Sequence, residues 1–541
     1  MQLPKPYLPQ QWVLPIAFLA LITPLLMFEI PFLQYTEGVF VFPQDEAYLR
    51  MAIAKNIAFH GTWGLSPGEF SAASSSILYP LLMALLYKLF GVHLAITFLV
   101  NIGAATACIL VIQRWLQRQG LSPLYQLLIL AALILMTPIP VLVISGTEHI
   151  LQVLFAFLFL FRFTAWLAET TMQNGSAKDM PLDIYMWGIL LTATRYEGLF
   201  IILMACLALL VKRKWLSCIL LALVSIMPIV IFGIYSLQNG AYFFPTSIMI
   251  KAIPIPPDGA AFQKFLQDDI FLRLFYPFAT QGSIATGRIL LILPLVYWLL
   301  RGPILRQPQR RYMLFVCLGT AILHLVFANV ALFYRYEAYL IAVTVFVVGI
   351  LLAENATNIW PPKGMGARWL FVWIGVFLFY PLFARGWGAY KDARLLSLNT
   401  YEQAWQAADF THRFYDNATV VVDDIGANSY LGNGKKIDPA TGIAYTEIAR
   451  SKEGTYYQPE YVDYLVKKEQ PALAIISESQ YTYSLLQHWI KVADWYTNHR
   501  VLLRGDHISF YALNKDSVPK LKQQLKVYES FLPATVKVIY P

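Results

Sequence analysis

Over its first 385 residues the chain alternates long apolar runs with short polar ones, and then its pattern changes. A helix needs about 20 apolar residues to cross a hydrocarbon core. Runs of that kind fall at 12–33, 94–113, 122–143, 148–167, 184–194, 199–211, 215–237, 286–300, 312–333, 336–353 and 367–384. The runs 184–194 and 199–211 are short and are split by Arg195-Tyr196-Glu197-Gly198. Two charges at that depth are costly in lipid, so this corner is expected to face protein or water. The run 77–90 is too short to span and contains Pro80 and Lys88, so it reads as a helix lying in the interface. The pattern predicts about 11 transmembrane helices, with the N-terminus inside and the C-terminus outside.

From about residue 386 the apolar runs shorten. Strand-like segments at 419–422, 472–476 and 507–513 alternate with helical patterns at 459–468 and 483–492. Residues 386–541 are enough for a core of their own. The expected fold is a polytopic α-helical membrane domain, 1–385, followed by an extracytoplasmic soluble α/β domain, 386–541. A long first outer loop at 34–93 and a second at 238–285 complete the outer side.

Charge sharpens this picture. The 541 residues carry 41 Lys+Arg against 32 Asp+Glu, a net of +9, yet charged residues are only 13% and hydrophobic ones 58%. Soluble chains carry about twice that charge fraction, so a purely soluble protein is excluded. Residues 386–541 hold 17 basic and 17 acidic side chains, so the whole excess lies in 1–385 (24 − 15 = +9). It gathers at the loops placed inside: Arg114/Arg118, Lys212-Arg213-Lys214, Arg301/Arg306/Arg310/Arg311 and Lys363/Arg368. That is a topology signal rather than a nucleic-acid-binding tail. Cys108, Cys206, Cys218 and Cys317 all sit in apolar runs without metal-ligand spacing and read as small buried residues.

The outer loops carry the candidate chemistry. Asp45 and Glu46 follow Pro43-Gln44 and open a helix expected to be amphipathic, with Arg50 one turn on. Acids favour a helix's first turn, but one would suffice for that. A pair beside a membrane could take a proton from a hydroxyl or hold a divalent cation, Mg or Mn. The same mouth receives Ser145-Gly146-Thr147-Glu148-His149, the Arg195–Glu197 corner, Phe244-Pro245-Thr246 with Lys251, and Tyr334-Arg335-Tyr336-Glu337. Arg195 and Arg335 either pair internally, with Glu197 and Glu337 respectively or with each other's acids, or join Lys251 as a phosphate clamp, since guanidinium matches phosphate oxygens bidentately. His60 and His149 read as structural.

In order along the chain, Asp45-Glu46-Ala47-Tyr48-Leu49-Arg50, Asn56, His60-Gly61-Thr62-Trp63-Gly64 and Ser66-Pro67-Gly68-Glu69 resemble the first-loop signature of GT-C glycosyltransferases. These are membrane enzymes that use polyprenyl-phosphate sugars. Residues 75–90 are similar to their juxtamembrane helix, and Ser145-Gly146-Thr147-Glu148 to an "S-G-x-E" step. Arg195-Tyr196-Glu197-Gly198 is similar to an "R-P-E-G" corner, and Arg335-Tyr336 to a late "R-Y". Asp423-Asp424-Ile425-Gly426-Ala427 with Lys436-Ile437-Asp438 is similar to a "D-I-G-A…v-x-D" stretch in their soluble tails. The arabinofuranosyltransferase-like and mannosyltransferase-like bacterial branch is nearest in pattern. The departures are Asp-Glu for Asp-Asp, Tyr196 for proline, and Leu65-Ser66 for Phe-Asn.

The resemblance implies an inverting transfer from a polyprenyl-phosphate sugar to a glycan, lipid or protein acceptor, outside a bacterial inner membrane. It implies Asp45 as general base with Glu46 in support or on a cation, and Arg195, Lys251 and Arg335 on the lipid phosphate. Arg50, Glu148, Glu197 and Tyr336 would complete the polar site. Loop 238–285 is long enough for a lid, and Tyr456, Tyr457 and Trp495 are either acceptor contacts or core. Two other classes stay open: a transporter or flippase of lipid-linked saccharides, and a non-catalytic assembly factor for cell-envelope glycans.

Overall fold

The computed structural model describes residues 8–172, 179–251, 307–328, 334–354, 365–439, 443, 459–478, 488–501 and 505–541. Where the sequence runs apolar the backbone is helical, because a helix satisfies its own N–H and C=O groups in a medium that offers no partners. The helices are α1 (Val13–Tyr35), α4 (Leu94–Arg118), α5 (Pro123–Met136), the short α6 (Ile139–Ile144), α7 (His149–Met172), α8 (Leu182–Thr194), α9 (Gly198–Val211), α10 (Trp215–Gln238), α12 (Pro308–Phe327), α13 (Ala338–Glu354) and α14 (Met365–Thr400). Among the described residues five helices, α1 (with the turn before it), α4, α7, α10 and α12, are long and apolar enough to cross a membrane. This is an integral membrane protein. The expected span at 286–300 lies outside the described residues.

The corner at 195–198 separates α8 from α9, as the sequence suggested. Between α1 and α4 the first loop folds into α2 (Asp45–His60) and α3 (Leu78–Phe90). Helix α2 ends on Gly61 in the left-handed region (φ 65°). On α3, Tyr79, Met83 and Tyr87 are buried while Leu81, Leu85 and Leu89 are exposed, which suits a helix lying on a membrane. Helix α2 departs from expectation. It is not amphipathic: Ala47 through Ala54 are buried without a break. Its polar side is covered by the C-terminal domain, a long-range contact that periodicity cannot reveal.

Helix α14 runs 36 residues, about 54 Å, straight through the boundary expected at 385/386. A π turn at Tyr401–Trp405 leads into α15 (Gln406–Tyr415). The tail continues as β1 (Val420–Val422), α16 (Ile425–Leu431), β2 (Lys436–Ile437), α17 (Pro459–Glu469), β3 (Ala474–Ile476), β4 (Ile490–Val501), β5 (Gly505–Ala512), α18 (Val518–Tyr528) and β6 (Lys537–Ile539). The six-stranded sheet has the order β2-β1-β3-β5-β4-β6, parallel between β1 and its two neighbours and antiparallel from β3 outwards. The helix expected over 483–492 fails at its described end, because Ile490 already pairs with Ala512 in β4. Pairing on both sides of β4 overrides the local pattern there. Trp495 is fully buried between Phe510 (4.3 Å) and Tyr528 (5.6 Å), so it belongs to the core. Tyr456 and Tyr457 lie outside the described residues.

The tail seats on α2. Lys55 Nζ donates to the carbonyls of Tyr430 (2.8 Å) and Gly432 (3.3 Å), and Tyr48 packs on Trp405 and Tyr430. Nearby Lys436 is 2% exposed and its Nζ has no hydrogen-bond partner among the described residues. Burial pushes this ammonium down to about 8, with Asp416 opposing and Lys55 assisting. Between pH 8 and the usual lysine value the unfolded chain binds more protons, so stability climbs with pH across that window. Below pH 8 the penalty is fully present. Lys436→Met is therefore expected to raise Tm at pH 7, by roughly 3 °C, and to flatten the rise above pH 8. A thermal-shift series from pH 7 to 10.5 checks both; an unchanged slope would refute the assignment.

Candidate active site

The sequence places both acids in the first turn of α2, after an extended Gln44 (φ −126°, ψ 134°). The i,i+4 spacing then brings Arg50 back over Glu46, at 3.5 Å between Nη1 and Oε2. Arg50 reaches across to Glu148, Nε to Oε2 at 2.6 Å and Nη2 to Oε1 at 3.0 Å. Glu148 has no exposed surface. It arrives at the end of Ser145-Gly146-Thr147, where Gly146 (φ 67°) lies so close to the Phe42 ring that a Cβ would overlap it.

Glu148 is shared. Arg195 Nη1 sits 3.1 Å from the same Oε1, while its Nε and Nη2 grip Glu197 bidentately at 3.0 and 2.5 Å. The other side of the cluster comes from Arg335, whose Nη2 is 2.8 Å from Glu46 Oε2 and whose Nη1 donates to Gln44. Tyr334 precedes it in the left-handed region (φ 61°), a conformation bulky residues rarely take and one that recurs at functional sites. Tyr336 lies under both arginines, 5.1 Å from Arg195 Cζ and 5.2 Å from Arg335 Cζ. Three guanidiniums thus face three carboxylates (3 − 3 = 0), and all three arginines are nearly inaccessible.

Asp45 points elsewhere. Its two oxygens accept the backbone N–H groups of Gly426 (2.8 Å) and Ala427 (2.9 Å) from α16 of the tail. The "D-I-G-A" segment and the acid pair therefore meet, although 381 residues separate them.

Glu46, Arg50, Glu148, Arg195, Glu197, Arg335 and Tyr336 converge here, while Asp45, next to Glu46 in the chain, turns its carboxylate to the tail. Arg195 pairs with Glu197 as one sequence alternative had it. Arg335 does not pair with Glu337; it takes Glu46, and Glu337 takes Arg385 at 2.9 Å, both fully buried. Lys251 ends the short α11 (Thr246–Lys251), whose first N–H donates to Ala72 of the first loop. His149 is buried against Tyr336 and bonds Thr147. Most of the expected lid at 238–285 lies outside the described residues.

Sequence reading missed Ser75, Gln44 and Arg385. Ser75 Oγ accepts from Arg195 Nη1 at 2.7 Å and from Arg50 Nη2 at 3.4 Å. The only hint was the polar run Ser74-Ser75-Ser76 ahead of an apolar helix. The surroundings of the two acids differ. Asp45 is turned to two N–H donors, and Glu46 lies between two guanidiniums whose charge opposes a metal ion. Among the described residues no group of three or more His, Cys, Asp or Glu gathers as a metal site.

Against known structures, the chain aligns over 94% of its length with 98% of ArnT from Cupriavidus metallidurans bound to undecaprenyl phosphate (TM-score 0.51, 13% identity). The chain has the GT-C fold. Apo ArnT from the same organism (TM-score 0.47, 14% identity, 94% and 98% covered) and the Archaeoglobus fulgidus oligosaccharyltransferase (0.48, 12%, 94% and 74%) are also similar. Within the chain, residues 393–511 match a domain of unknown function, DUF8728. Among curated proteins, none matches in sequence.

Proposed function

We propose that the chain transfers a sugar from a polyprenyl-phosphate donor to a glycan, lipid or protein acceptor on the outer face of a bacterial inner membrane. The observation that carries this reading is the cluster of three buried guanidiniums on Glu46, Glu148 and Glu197, with Asp45 beside Glu46 at the head of the same helix, in a chain of the GT-C fold. In ArnT a chain of this fold is seen with undecaprenyl phosphate.

In this reading Asp45 takes the proton of the acceptor hydroxyl. The oxygen then attacks the anomeric carbon from the face opposite the phosphate, inverting it, while the carbon–oxygen bond to phosphate breaks. Arg335 and Arg195, with Lys251, take up the charge on the departing lipid phosphate, the contribution that commonly dominates such transfers. Arg335 Nε has no hydrogen-bond partner among the described residues and supplies a spare donor. Glu46 and Glu148 hold the arginines in place, and Arg50, Glu197 and Tyr336 complete that frame.

The test is a panel of polyprenyl-phosphate sugars, supplied to purified protein in membranes that carry the native acceptors. Release of polyprenyl phosphate from one donor, with sugar appearing on an acceptor by mass spectrometry, is expected. No release from any donor would count against the proposal.

A further inference from the structure

Residues 393–511 match a domain of unknown function, and two of their backbone amides reach the carboxylate assigned above as the base. The contact is built rather than incidental. At Gly426 a Cβ would lie 2.7 Å from Leu49 N and 2.9 Å from Asp45 Oδ1, and inside contact of the Asp45 carbonyl. Only glycine lets α16 come this close to α2. The amides meet one oxygen each, which fixes the carboxylate plane as well as its position. The seam is fastened elsewhere too, through Lys55 on the Tyr430 and Gly432 carbonyls and Lys435 on Glu69 at 3.0 Å. Docking the tail thus does not require Asp45, and the Asp45 contact has a purpose of its own.

We propose that Gly426 and Ala427 are positioning residues of the active site: their N–H groups orient the Asp45 carboxylate toward the acceptor hydroxyl, so the tail is an obligatory part of the catalytic apparatus. This rests on Asp45 being the base. It gives the GT-C membrane domain a base that is aligned only when the soluble domain is seated. A bundle that has lost this seating would keep its arginine cluster and its donor site while losing turnover.

Four full-length variants test it in one transfer assay, with kcat, donor KM, the pH profile and Tm as readouts. Gly426→Ala should lower kcat roughly 10- to 100-fold with donor KM within about twofold, since misplaced catalytic groups lose rate on that scale. Hydrogen bonds to a carboxylate favour its ionised form, so the acid limb of the pH–rate profile should move to higher pH. Ala427→Pro deletes one N–H that has no intrahelical partner in the first turn, where proline is tolerated. It should lower kcat about 10-fold with the same movement of the limb. Lys55→Met loosens the seam without touching Asp45, and should lower Tm while the limb stays in place. Wild-type kcat and limb in both Gly426→Ala and Ala427→Pro would overturn the proposal, as would an equal limb movement in Lys55→Met. Asp45→Asn separates the two levels. If it is inactive while the amide variants behave as wild type, only the positioning role fails; if it is fully active, the base assignment fails first.

Discussion

Asp45→Asn is expected to slow sugar transfer about a thousandfold while leaving membrane insertion and the helical bundle intact. A positioned general base contributes on the order of 10²–10⁴ in rate, and an amide cannot take the acceptor's proton. The substitution is isosteric, so packing against α16 is retained. One cost is local: Asn can offer an oxygen to only one of the Gly426 and Ala427 amides, and its NH₂ then faces the other donor. Loss of one such bond is worth roughly 1–3 kcal/mol, so Tm should dip slightly while the rate collapses. Initial rates of polyprenyl-phosphate release, beside membrane extraction and Tm of the same preparation, separate the two effects. An Asp45→Asn protein with wild-type turnover would remove the acid from the mechanism.

Much of this site could be read from the sequence because each half of it is local. Asp45-Glu46 and Arg50 are one helical turn apart, and Arg195 and Glu197 share one corner, so spacing alone brings them together. The run of apolar helices and the short α3 between them were legible for the same reason, since the length of an apolar segment is a property of consecutive residues. What could not be read is every partnership that crosses elements. Arg335 has Glu337 two residues away, and adjacency suggested that pair. The turn at Tyr334 instead sends Arg335 to Glu46, 289 residues earlier in sequence number (335 − 46), and Arg385 arrives from α14 to take Glu337. Helix α2 misleads by the same route. Its polar positions predict a wetted face, but Lys55 finds tail carbonyls and Asp45 finds tail amides. The first residues of β4, Ile490 to Val492, fell inside an expected helix because their pairing partners in β5 lie further along the chain.

The cluster itself poses an energetic question. Buried ion pairs are poor sources of stability, because desolvation offsets most of the attraction and apolar side chains of similar volume often do as well. Three arginines held nearly dry beside three acids are therefore hard to account for by folding alone. They are easier to account for as donors aligned in advance for an anion. On the function proposed above, the acids hold the guanidiniums in place for a phosphate to share, and Ser75 is the polar group at which Arg195 and Arg50 already meet.

That view makes Glu148→Gln the most damaging single substitution for stability. Glu148 is the one carboxylate touched by both Arg50 and Arg195, and it has no contact with water. Removing its charge leaves the cluster at +1 in a buried setting, where loss of one partner typically costs about 3–5 kcal/mol. A glutamine oxygen at the Oε1 position can still accept from both Arg50 Nη2 and Arg195 Nη1, but its NH₂ then faces Arg50 Nε. Tm is expected to fall by several degrees and transfer to fall with it, as Arg195 loses the contact that aims it. Neutrality can be restored independently: Arg50→Met combined with Glu148→Gln removes one charge of each sign (2 − 2 = 0 for the four remaining groups Arg195, Arg335, Glu46 and Glu197). The double variant should recover more than half of the lost stability, and the interaction energy from the cycle reads the pairing directly. A Glu148→Gln protein with wild-type Tm would mean that Glu46 and Glu197 alone balance the three guanidiniums, and that Glu148 does not hold the arginines in place.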